Sequence, residues 1–98
     1  MTALFWTPEA QQDRNDIYDY IEADNPAAAL TLDELFAKNA ARLLEHPGLG
    51  RIGRVKGTRE LVVHPNYVVI YDLAGERVRV LRVIHAARQW PSQRGGHI

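Results

Sequence analysis

Four residues in the C-terminal half have the types that handle phosphate and protons: Arg59, Arg82, His85 and Arg88. His85 closes an apolar, β-branched run, with one arginine three residues before it and another three after. Arginines hold or stabilise phosphate charge, and a histidine moves a proton near neutral pH. Arg59, on a neighbouring strand, is expected to face the same way and complete a cationic cluster open at the strand ends. That cluster has no evident second proton-transfer group. His64, the nearest candidate in sequence, is expected at another edge. A plainer reading makes His85 a strand-end residue capping backbone groups. Arg77 and Arg79 read as an exposed strand face, and Trp90 as an anchor for the tail. Asp72 and Glu60 are suited to pairing with nearby arginines. His46 and His97 lack ligand spacing or acidic companions, so no metal site and no cofactor are expected.

Charge supports placing the chemistry in this half. Net charge is zero, yet residues 1–50 carry nine acids against three bases, and residues 51–98 nine bases against three acids. Eight of those nine bases are arginine, the side chain suited to bidentate carboxylate and phosphate contacts. The split is either neutralised within the fold or offered to an acidic or anionic partner.

The elements that must position these residues follow from pattern. Ninety-eight residues make one domain, here 1–91, with a polar, glycine-rich tail over 92–98 expected to fray. Residues 2–6 are strand-like, and Phe5 and Trp6 read as core. Thr7-Pro8 gives a helix cap followed by proline at the first helical position. Apolar residues then recur at 10, 17, 20 and 21 with acids between them. Asn25-Pro26 repeats the signal and opens an alanine-rich helix over about 26–45, stopped by His46-Pro47-Gly48. The short link makes the helices an antiparallel hairpin. Residues 48–54 read as a glycine loop. A phosphate cradle is excluded there, because the loop does not lead from a strand into a helix. Strands are predicted at 57–63, 67–73 and 77–84, joined by hairpin-length turns into an antiparallel meander. Tyr67–Leu73 reads as a strand covered on both faces. The expected class is α+β in the order β-α-α-β-β-β, with the hairpin packed on the sheet. The absence of cysteine excludes disulfides and thiolate metal sites. No signal peptide or membrane span is expected, and the predicted location is the cytoplasm.

These features carry a resemblance. Ala10, Asp13, Ile17, Tyr20 and Ile21 precede an alanine-rich helix ending Leu43-x-x-His46-Pro47-x-x-Gly50. Arg59-Glu60-Leu61, Tyr67–Tyr71 and Val80–His85 follow, closed by Arg88. Order and spacing over residues 3–91 resemble the RelE/ParE superfamily of type II toxins, and ParE-like members more closely. The resemblance implies a toxin that inhibits growth and is neutralised by a cognate ParD-like antitoxin carrying a DNA-binding dimerisation domain. ParE-like members poison DNA gyrase without a recognised catalytic centre. RelE-like members are ribosome-dependent endoribonucleases acting on mRNA. Against the RelE pattern, this chain lacks a C-terminal tyrosine and the middle-strand lysines. It also has Asn66 where some ribonuclease members carry an acid beside an aromatic. The ParE-like reading places target contacts on Arg79, Arg82, His85, Arg88 and Trp90. It places antitoxin contacts on Arg51, Arg54, Arg59, Tyr20 and Phe36. The alternative, a ribonuclease, would use Arg59, Arg82 and Arg88 to hold phosphate and His85 as acid or base.

Overall fold

The computed structural model describes residues 3–87. Its elements are β1 (Ala3–Trp6), α1 (Pro8–Glu22), α2 (Pro26–Arg42), β2 (Arg51–Ile52), β3 (Thr58–His64), β4 (Tyr67–Ala74) and β5 (Arg77–His85). The strands form one five-stranded sheet in the order β1-β5-β4-β3-β2.

Thr7 joins sheet to helix. Its amide donates to the Val80 carbonyl at 3.0 Å. Its hydroxyl donates to the Leu81 carbonyl at 3.0 Å and accepts the Ala10 amide at 3.1 Å. One residue therefore ends β1, caps α1 and fixes the helix against β5. Asn25 caps α2 the same way, accepting the Ala28 amide at 3.0 Å. The hairpin is tied by a fork from Arg14 to both Asp33 oxygens, at 2.9 and 2.8 Å. The same guanidinium lies 4.4 Å above the Trp6 ring.

The α+β order and the meander are as expected, with three differences. The sheet is mixed, because β1 runs parallel to β5 at its edge. The glycine loop contains the short strand β2, drawn to β3 by Glu60, which accepts from the Arg51 guanidinium and the Arg54 amide. The second helix ends at Arg42 because residues 43–45 bond three residues back rather than four, tightening the last turn.

The helices cover one sheet face. Phe36, Leu43, Leu61, Val69, Tyr71, Val78 and Val80 form the core there. Val68 and Ile70 are buried on the opposite face, so β4 is covered on both sides as its sequence implies. Trp6 packs against the core, but Phe5 does not belong to it. Strand alternation turns Phe5 to the other face, where it is 45 % exposed. Among the described residues, no helix is long and apolar enough to cross a membrane.

Candidate functional site

The described end of the sheet brings three rings together. Register places Tyr67 opposite both His85 on β5 and His64 on β3. The Tyr67 ring lies 5.3 Å from His85, 5.9 Å from His64, and 5.6 Å from Phe36 beneath it. His64 therefore shares an end of the sheet with His85, contrary to the sequence expectation. The bulge between Val62 and His64 carries it there, which turn length alone does not reveal.

Both imidazoles are held by their own turns. His64 Nδ1 accepts the Asn66 amide at 3.0 Å, and His85 Nδ1 accepts the Ala87 amide at 3.1 Å. The two turns are linked by the Ala86 amide, which donates to the Asn66 carbonyl at 2.8 Å. An Nδ1 that accepts a backbone N–H leaves the ring proton on Nε2. In that tautomer the lone pair of each ring is engaged by a backbone amide of its own turn. Each instead offers an N–H for binding.

Of the arginines expected around His85, Arg59 and Arg82 are not assembled with it. Arg59 stands opposite Tyr71 and His85 opposite Tyr67, four residues apart along β4, or roughly 13 Å at strand rise. Arg59 Nη1 donates to the Gly50 carbonyl at 2.7 Å and to the Gly48 carbonyl at 3.4 Å. Arg82 stands opposite Ile70, on the sheet face away from His85, and forks onto both Asp13 oxygens at 2.7 and 3.0 Å. The hydrogen bond to Asp13 raises its pKa above the ordinary guanidinium value, against the opposing effect of burial. Asp13 also accepts the Val83 amide at 2.9 Å, capping a stretch of β5 edge that β1 leaves uncovered. Arg88 and Trp90 lie outside the described residues.

Other expected contact residues divide similarly. Arg79 forks onto Asp72, its cross-strand neighbour, at 2.9 and 2.7 Å, and that hydrogen bond raises its pKa. Arg51 bonds Glu60 and keeps its side chain 61 % exposed. Burial pushes the Glu60 carboxyl up. The Arg54 amide and the Arg51 guanidinium together outweigh burial and hold it below its ordinary value. Tyr20 is 82 % exposed on α1 and available to a partner. Phe36 is corrected: at 1 % exposure it is core, because its position on α2 faces the sheet. Among the described residues, no three acids or histidines come together to hold a metal ion.

Three further positions matter. The buried Tyr71 hydroxyl donates to the Pro47 carbonyl at 2.7 Å and accepts the Gly50 amide at 2.9 Å. A Cβ on Gly50 would lie 2.8 Å from the Tyr71 ring, so the glycine of the His-Pro-x-x-Gly turn is required by close approach. Asp13 was legible as an acid on the same helical stripe as Ala10 and Ile17.

Comparison with known proteins agrees with this architecture. Residues 4–90 match the model of the ParE toxin of the type II toxin-antitoxin system parDE. A relative from Sinorhizobium fredii, named toxin Y4kP, is 39 % identical over 87 residues, covering 88 % of this chain and 90 % of its own. Toxin RelE2 of Caulobacter vibrioides is 39 % identical over 88 residues, covering 90 % of this chain and 99 % of its own. A solved structure of a chromosomal ParDE system from P. aeruginosa superposes with a TM-score of 0.77 at 26 % identity, covering 87 % of this chain and 96 % of that one. The chain belongs to the ParE toxin family, within the RelE/ParE superfamily of type II toxins.

Proposed function

We propose that this toxin acts by binding a DNA topoisomerase of the gyrase class, performs no cleavage itself, and is held inactive in the cytoplasm by a ParD-like antitoxin. The observation that carries this reading is the state of the two histidines. Abstraction of a 2′-hydroxyl proton needs an unprotonated ring nitrogen facing the substrate. In both His64 and His85 the unprotonated nitrogen is occupied by a backbone amide. Arg59 and Arg82 are also committed elsewhere, to a loop carbonyl and to Asp13. What remains at the sheet end is a set of donors and an aromatic ring, which suits recognition. The ribonuclease reading keeps one supporting observation, the closeness of His85 to Tyr67.

Brief expression of the toxin, with DNA supercoiling and message integrity followed side by side, separates the two. The expected result is double-strand breaks and a DNA-damage response with messages intact. Early loss of ribosome-associated messages with supercoiling unchanged would overturn the topoisomerase reading. His85→Gln is the residue test. Retained toxicity is expected, and its abolition together with abolished cleavage would establish the enzyme.

A further inference from the structure

The β2–β3 hairpin carries positive charge that the fold does not use. Between Glu45 and Glu60 the chain has no acid and four bases, Arg51, Arg54, Lys56 and Arg59. Arg59 is committed to the Gly50 carbonyl, and Arg51 bonds Glu60 while staying largely exposed. Arg54 and Lys56 are exposed, and among the described residues neither side chain forms an ion pair. Ile52, 81 % exposed, has one arginine immediately before it and another two residues after. The backbone of this tip is fixed. The Gly53 amide donates to the Thr58 carbonyl at 2.8 Å, and the Arg54 amide to Glu60 at 3.1 Å. The Thr58 amide and hydroxyl both donate to the Val55 carbonyl, at 3.0 and 2.7 Å. A Cβ on Gly53 would overlap the Thr58 hydroxyl. The Gly53 and Arg54 amides are thus used within the hairpin, and outward contact falls to side chains. The acids of α1 stand well away. That helix is tied to β5 through Asp13, and β2 lies three strands from β5, about 14 Å at ordinary strand spacing.

We propose that the tip of the β2–β3 hairpin is a contact site for duplex DNA, with Arg51, Arg54 and Lys56 on phosphates and Ile52 entering the minor groove as an apolar wedge. Cations without an acid of their own gain most from a polyanion, because each phosphate they neutralise releases counterions. The setting of Ile52 selects the duplex. The core of a protein interface is depleted of charge, whereas Ile52 has a cation on either side. A minor groove presents the matching order, base steps between two rows of phosphates, and apolar wedges accompanied by arginine enter it that way. The minor groove of an RNA duplex is wide and shallow and gives a wedge no such walls. This contact goes beyond the topoisomerase reading. It is measured with the purified chain and DNA alone, so its failure and the failure of that reading are told apart.

The test uses the full chain and an end-labelled DNA duplex of mixed sequence, followed by fluorescence anisotropy over a salt series. Micromolar binding at low salt is expected, with log affinity falling against log salt at a slope of about −2 to −3. Arg54→Ala combined with Lys56→Ala should weaken binding at least tenfold and flatten that slope by nearly two. Ile52→Ala should leave the slope unchanged and remove most of a bend of about 20–90°, read by energy transfer between the duplex ends. These side chains are exposed, so the melting temperature should not move in either variant. Absence of saturable binding at low salt, or equal binding by the paired variant, would overturn the proposal. Equal affinity for an RNA duplex or for polyglutamate, with Ile52→Ala without effect, would also overturn it and make the tip a general polyanion or acidic-protein surface.

Discussion

Tyr71→Phe should be among the most damaging single-atom deletions in the molecule. The ring is fully buried, and its oxygen joins two turns of backbone that no ladder holds. Deletion leaves the Gly50 amide buried without an acceptor, a loss of about 1–3 kcal/mol. The Pro47 carbonyl is only partly buried, and water can replace its donor at lower cost. The expected loss is about 2 kcal/mol, or roughly 8–16 °C in melting temperature for a domain of this size. Gly50→Ala acts on the same junction from the other side. The new methyl would meet the Tyr71 ring at 2.8 Å and its hydroxyl at 2.9 Å, an overpacking cost of about 1–3 kcal/mol. The two effects share one hydrogen bond, which can be lost only once. The double variant should therefore be less destabilised than the sum, by about 1 kcal/mol. Urea unfolding followed by far-ultraviolet circular dichroism measures all three. A Tyr71→Phe loss below about 0.5 kcal/mol, or additivity of the pair, would refute the assigned role of the hydroxyl.

Asp13→Ala should cost about 1–3 kcal/mol in thermal melts, because it strips both the Arg82 guanidinium and the Val83 amide of their acceptor. A loss no larger than that of the exposed Asp16→Ala would contradict it. Glu60 has its folded pKa held below the usual 4.5, so its stabilisation is complete above about 4.5 and disappears as pH falls through the lower folded value. Glu60→Gln should accordingly flatten the stability curve on its acid side, and an unchanged slope there would show that the carboxylate contributes nothing. Antitoxin association should slow several-fold as salt rises from about 20 to 500 mM, since screening shortens the reach of the basic half; stopped-flow rates that do not move would exclude electrostatic steering.

Much of this was legible because it is local. Thr7-Pro8 and Asn25-Pro26 mark both helix starts by chemistry contained within a few residues. The continuous apolar run from Val68 to Tyr71 announces a strand covered twice. What escaped depends on partners distant in sequence. β2 exists because Glu60 reaches across to Arg51 and Arg54, and two bonding residues between glycines carry almost no pattern of their own. Arg59 and Arg82 part from His85 for a related reason. Three-residue spacing on a strand alternates faces, so Arg82 and His85 diverge. Each arginine then takes the acceptor within its own reach, Asp13 for one and the Gly50 carbonyl for the other. Two histidines around one tyrosine needed a bulge that only the register reveals.

The charge division gains a more definite meaning from the ion pairs. If the acidic and basic halves mainly neutralised each other, their bridges would run between them. Of the four side-chain pairs among the described residues, only Arg82–Asp13 crosses from one half to the other. Arg14–Asp33 lies within the acidic half, and Arg51–Glu60 and Arg79–Asp72 lie within the basic one. Pairs internal to a half leave its net charge untouched. In the second half Glu60 and Asp72 pair in this way, while Arg54, Lys56 and Arg77 remain exposed. Among the described residues, folding therefore orders most of the surplus on each side without cancelling it. An acidic partner would meet that surplus at the exposed Arg54 and Lys56 beside β2.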